Sequence, residues 1–149
     1  MLGKKFYINV MAQTSTNQDS IQAHLLSILI PSEILSSFEI NQVIENDTEL
    51  LIELTEKESL IPEALNGKQV SLDGYMNATT LQHYPQMGKQ YYIHLKRRRW
   101  KEKGNSKSKS YHNEYSFTAA GTMATKSFGD FLKRNSLINT PSHLAQSLQ

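Results

Sequence analysis

Nine residues packed into one stretch of the chain carry most of the chemistry it offers: Lys96, Arg97, Arg98, Arg99, Trp100, Lys101, Lys103, Lys107 and Lys109. Arginine presents a planar fork of donors that matches phosphate oxygens or the edge of a guanine, and lysine adds a mobile point charge. Such a set is a candidate nucleic-acid-binding surface. Strand alternation points Arg97 and Arg99 to one side and Arg98 to the other, so one face cannot present all three to a partner. One or two are expected on phosphates, with the remainder paired to acidic neighbours, packed on an aromatic ring or directed to a second surface. Trp100 admits two roles, an anchor for the sheet or a ring that stacks on a base. The loop "KEKGNSKSKS" is expected to be mobile alone and to order against backbone phosphates, which gives affinity with little sequence information.

No catalytic, cofactor-binding or metal-ligating set accompanies these cations. The glycines Gly3, Gly67, Gly74, Gly88, Gly104, Gly121 and Gly129 are spaced as turn formers and compose neither a P-loop nor a dinucleotide fingerprint. There is no nucleophile elbow. The absence of cysteine removes disulfides, thiolate zinc sites and thiol nucleophiles. Of the five histidines, only His94 and His112 are placed to meet across a hairpin, and two imidazoles make a poor zinc site. Asp73, Glu102, Glu114 and Asp130 are too scattered for a metal-dependent nuclease. The expectation is a protein that is not an enzyme and uses no cofactor.

Elements that position the cations can be read from periodicity. Residues 1–20 read as a flexible lead-in, 21–135 as one α+β domain, and 136–149 as a linker with the start of a further helix at Pro141. Ile21, Leu25, Ile28 and Leu29 recur at helical spacing and read as core, with a break near Ile30 that makes two short helices. An acidic hairpin follows, about 38–45 with 48–56, turned by "END". Residues 72–90 read as loop, with Pro85 and Gly88 shaping a turn. "QYYIHLKRRRW" is a strand with Tyr91, Ile93 and Leu95 on its apolar face, and "YHNEYSFTAAGT" is its expected return partner, giving a long hairpin with a basic tip. A last helix starts after Thr125 as N-cap, with Phe128, Phe131 and Leu132 on one side and Lys133 and Arg134 in its final turn. The class is therefore α+β: short N-terminal helices against antiparallel β-hairpins, then a C-terminal helix.

Charge supports the assignment. The 149 residues are 38% hydrophobic and carry a net charge of only +2. Yet ten acidic residues and one basic residue lie between Asp19 and Glu63, whereas nine basic and one acidic lie between Lys89 and Lys109. Local asymmetry of this kind sets the potential that a partner meets. No apolar run is long enough to span a membrane, and the start is too weakly apolar for a signal peptide, which makes the cytoplasm the default.

The runs "LLSILIPSEILSSFEINQV", "LIELTEKESLIP", "GYMNATTLQHYPQMGKQYYIHLKRRRW" and "FTAAGTMATKSFGDFLKR", in that order over residues 25–134, resemble the N-terminal region of ISAon1-type transposases, related to the ISL3 insertion-sequence family. The resemblance implies a non-catalytic domain that contacts duplex DNA at transposon ends. It also implies a partner, a transposase catalytic subunit encoded by an adjacent reading frame. In the ISL3 relatives this region looks like a zinc-binding module. Here the cysteines are missing, so Trp100, Tyr111, Tyr115 and Phe117 must supply the packing. "HYP" at 83–85 replaces the family's aspartate before proline. The chain stops where a helix-turn-helix would begin, as expected of a separately encoded N-terminal part or a remnant. Two other readings stand beside this one: a structural protein whose acidic and basic surfaces pair between copies, and an RNA-binding or transcription-regulating protein of the same fold.

Overall fold

A computed structural model of the chain describes residues 17–139, and the side chains of 17–135. The chain divides into two compact units, Met1–Ser36 and Ser37–Gln149, a boundary that the reading of one domain over 21–135 does not contain. The described part of the first unit holds helix α1 over 17–29 and the short helix α2, Ser32–Leu35, with Pro31 between them. The break near Ile30 lies where the sequence places it. Helix α1 already includes residues 17–20, which read as lead-in. Ile21, Leu25 and Ile28, expected in a core, are instead exposed, whereas Ile30 and Ile34 are buried.

The second unit is built on two sheets. Strands β1 (Phe38–Glu45), β2 (Glu49–Glu56), β4 (Thr79–Gln86) and β5 (Lys89–Lys96) form a mixed sheet in the order β1-β2-β5-β4. Strands β3 (Val70–Tyr75) and β6 (Arg98–Glu102) form an antiparallel pair. The α+β class holds, with helix α3 at Lys126–Asn139. The acidic hairpin β1–β2 forms as the alternation of Leu50, Ile52 and Leu54 requires, and Asn46 closes its turn by accepting from the Thr48 and Glu49 amides. β2 then pairs in parallel with β5, Ile52 beside Ile93 and Leu54 beside Leu95. These four side chains are buried together with Leu81, Tyr91 and Phe38 and make the core.

Residues 72–90 are not loop. They contain the end of β3 and all of β4, and β4 turns into β5 through Met87 and Gly88, both at positive φ, as the right-handed twist of a tight hairpin favours. The hairpin partner of the basic strand is thus the segment before it. "YHNEYSFTAAGT", expected as that partner, makes only single bridges, Tyr111 to Trp100 and Thr118 to Thr125. Pro85 is tolerated because β4 is the last strand of its sheet and its register shifts between His83 and Gln86.

The continuous strand through "YYIHLKRRRW" also divides. It leaves the first sheet after Lys96 and enters the second at Arg98. A charged run cannot continue a buried face, so the chain changes sheets where its alternation turns from apolar to cationic. Helix α3 extends past Lys133 and Arg134, which therefore lie in its body, not in its last turn, and it includes 136–139, which read as linker. The further helix expected after Pro141 lies outside the described residues. Gly129 is where α3 comes close to the preceding segment: a Cβ there would overlap the Ala119 methyl.

Candidate nucleic-acid interface

The switch at Arg97 spreads the arginine triplet over three surroundings. Arg97 Nη1 donates to Glu114 Oε2 at 2.8 Å and to the Asn113 carbonyl at 3.1 Å. Arg98 Nε donates to the Glu56 carbonyl at 2.7 Å, with its guanidinium 5.8 Å from the centre of the Tyr75 ring. Arg99 Nε donates to the Asp73 carbonyl at 2.8 Å and lies 3.2 Å from Asp73 Oδ2. Each arginine therefore has a bonded protein partner, and strand alternation is the reason the three partners differ.

Asp73 is the hinge of this arrangement. Its carboxylate also takes Lys101 Nζ at 3.2 Å and the Ser110 hydroxyl at 2.9 Å. The Ser110 hydrogen bond, followed by that of Lys101, holds its carboxyl below the usual aspartate range. Gly74 next to it has φ +84°, at the point where the β3–β6 register shifts between Leu72 and Tyr75. The positive φ, which side chains rarely adopt, is what favours glycine at this bulge; a Cβ there would only touch Arg99 Nη2 at an ordinary 3.5 Å. Sequence reading treated Asp73 as one scattered carboxylate, because the strand that carries it was read as loop.

The other cations divide clearly. Lys96 sits 3.6 Å from Glu53 and over the Tyr75 ring. Lys103, Lys107 and Lys109 are exposed, and their ammonium groups have no partner among the described residues. Small polar residues hydrogen-bond within the loop that carries them. The Asn105 side chain accepts from the Lys107 amide, the Ser108 amide donates to the Asn105 carbonyl, and the Ser108 hydroxyl accepts from the Glu102 amide. These bonds use small polar residues for shape and leave the lysines outward.

Trp100 is buried at 5% exposure, and its indole nitrogen has no hydrogen-bond partner among the described residues. In this arrangement the ring serves as packing under the β3–β6 pair. Phe38, Tyr115 and Phe117 form a second aromatic cluster, with Tyr115 and Phe117 stacked at 5.2 Å and Phe38 edge-on to Tyr115 at 5.0 Å. Tyr115 and Phe117 thus do pack the segment after the lysine loop onto the first strand. The cluster borders a pocket of about 140 Å³, with Leu95, Arg97 and Glu114 also in its walls.

Histidines do not gather. His94 bonds the Thr80 hydroxyl at 2.8 Å, and His112 bonds Glu114 Oε1 at 2.6 Å. The His112 hydrogen bond, with the charge of Arg97, holds the Glu114 carboxyl below its ordinary value. His83 is buried against the Thr125 hydroxyl, so Thr125 precedes α3 with its side chain spent on the imidazole. Burial pushes His83 towards the neutral ring. Among the described residues no three histidine or carboxylate groups cluster as a metal site would require, and no helix is long and apolar enough to cross a membrane.

Glu56 is the unexpected buried acid. It is fully enclosed, its Oε2 has no hydrogen-bond partner among the described residues, and desolvation raises its pKa against the opposing bonds from Tyr115 and Asn113. Glu56 is in phase with Leu50, Ile52 and Leu54, so period two puts it on the inward face, and only its charge argues against burial there. Compared with known proteins, the chain matches no family model, and it shows no significant similarity to any curated protein or solved structure searched.

Proposed function

We propose that the second unit is a non-catalytic DNA-binding module of a transposase-related, mobile-element protein. It holds the backbone of duplex DNA at the element ends through the lysine loop and acts with a separately encoded catalytic subunit. The observation that carries this reading is the division of the cations. Lys103, Lys107 and Lys109 are exposed on one short loop and their ammonium groups have no partner among the described residues, while the neighbouring arginines spend bonds on the protein. Cations kept free beside a rigid, internally bonded frame are what phosphate contact needs: charge that is available and geometry already fixed. Arg98, Arg99 and Lys101 shape the surface beneath the loop, and their remaining guanidinium and ammonium hydrogens extend the same field. Such contacts favour polyanion over base sequence, and sequence choice then falls to other residues or to the partner.

Titration of a fluorescent duplex at low and moderate salt tests the reading. Affinity falls steeply with salt if condensed counterions are released. Absence of binding at both salt concentrations refutes it. Equal titrations with duplex RNA separate this reading from an RNA-binding regulator of the same fold.

A second reading has one observation in its favour. β1 ends the mixed sheet with Val43 and Ile44 exposed at 56% and 48%, beside the acidic Glu39 and Glu45. Glu45 is already paired with Lys89 at 2.8 Å, so Glu39 and the exposed apolar residues are what this strand offers to another copy. Sedimentation that shows a salt-sensitive oligomer without DNA would favour it.

A further inference from the structure

We infer that the pocket between the β-sheet and the segment after the lysine loop receives one unpaired cytosine from the bound strand. This rests on the reading that the loop holds a nucleic-acid backbone.

Size is the first argument. The pocket encloses about 140 Å³. An apolar cavity of about 150 Å³ accepts a benzene ring, so a volume of this size suits a single six-membered ring. Its lining includes the rings of Phe38, Tyr115 and Phe117 together with Leu95, which suits a planar π-system. Base–aromatic contact of this type contributes to binding in single-strand binders whatever the base.

Polarity is the second. Arg97 and Glu114 both line the pocket, and they place a donor and an acceptor side by side, 2.8 Å apart. Arg97 spends only Nη1 on Glu114 and Asn113, so its Nε and Nη2 hydrogens remain for a ligand. The Glu114 carboxylate, held by Arg97 on Oε2 and by His112 on Oε1, keeps further lone pairs on both oxygens and is 74% exposed. Cytosine carries the complementary pair, an exocyclic N4–H₂ donor beside the N3 and O2 acceptors, and acidic side chains accept from N4. Thymine would set its O4 against the carboxylate. A phenylalanine side chain would satisfy neither group, and a tyrosine offers a single hydroxyl.

Position is the third. Arg97 precedes the lysine loop and Glu114 follows it, so one backbone segment on Lys103, Lys107 and Lys109 has the pocket at the base of the same loop. An extruded nucleotide is the geometry by which proteins read a base that is out of its stack.

The test compares four duplexes with the whole protein: one fully paired, and three with a single bulged cytosine, thymine or abasic site. The cytosine bulge is expected to bind about tenfold tighter than the abasic bulge, about 1.4 kcal/mol, with thymine close to abasic. In Glu114→Ala, an exposed position whose melt is checked in parallel, the cytosine advantage falls to the level of thymine. Titration with free cytidine is expected to shift the Leu81 and Leu95 methyl resonances. Equal affinity for the three bulges, with the paired duplex still bound, overturns the pocket and leaves the backbone reading standing. No binding of any duplex overturns both. Methyl shifts with N-acetyl-tyrosinamide and none with cytidine assign the pocket to a protein side chain and also overturn the inference.

Discussion

Replacing Arg98 and Arg99 together by glutamine separates cations that build the surface from cations that meet a partner. Arg98 donates at 2.7 Å to the Glu56 carbonyl, and Arg99 at 2.8 Å to the Asp73 carbonyl. A hydrogen bond from a charged donor contributes about 1.5–3 kcal/mol when well buried, and both side chains are partly exposed, so about 1 kcal/mol each is reasonable. The Arg99–Asp73 pair, at 42% and 26% exposure, adds at most about 1 kcal/mol after solvent screening. The loss is then about 2–3 kcal/mol, a fall in melting temperature on the order of 10 °C for a domain of this size. In the DNA titration the salt slope changes by less than one, since two lost phosphate contacts would lower it by about 1.8. Circular-dichroism melts and fluorescence anisotropy on the same sample give both numbers. A parental melt with a slope reduced by about two would refute the reasoning and return both arginines to the partner.

Three further expectations follow from packing and burial. Trp100→Ala should cost about 3–5 kcal/mol in denaturant unfolding, whereas Trp100→Phe should cost far less, because the indole nitrogen it removes has no bond to lose. Glu56→Gln should raise the melting temperature at neutral pH: the buried carboxyl titrates above the ordinary 4.5, so its cost is absent below that value and sets in as pH rises through the native pKa. Melts from pH 3 to 8 should therefore show a gain that disappears on the acid side. Gly129→Ala should destabilise by about 1–3 kcal/mol despite the better helix propensity of alanine, because the new methyl overlaps Ala119; a stabilised variant in thermal melts would contradict that packing.

What was legible in the sequence was local. The β1–β2 hairpin follows from alternation on either side of "END", and Tyr91, Ile93 and Leu95 announce the buried face of β5 by their period. The break between the first two helices is written in Pro31. β4 escaped notice because its buried positions, Leu81 and His83, alternate with polar Thr80 and Gln82 and end at a proline, which resembles a loop. Non-local pairing left no trace: nothing near Trp100 indicates that its strand pairs along 70–75 and meets 111–117 only at the single Trp100–Tyr111 bridge. For the same reason the cations were visible as a cluster while their division was not. Asp73, Glu56 and Glu114, which take up the arginines or their strand, come from segments 17 to 42 residues away. The exposure of Ile21, Leu25 and Ile28 likewise shows that helical spacing specifies a face without specifying what covers it.

On the proposed DNA-binding reading, Lys103, Lys107 and Lys109 are held free for phosphate. The most direct measurement of this is the salt slope of duplex binding for the parent and for the triple variant Lys103→Gln, Lys107→Gln, Lys109→Gln. All three side chains are exposed and unpaired among the described residues, so the melt should stay within experimental error of the parent. At about 0.9 per phosphate contact, the slope of log affinity against log salt should become shallower by about 2.7. An unchanged slope with parental affinity would contradict the account, because the loop would then carry its charge for solvent alone.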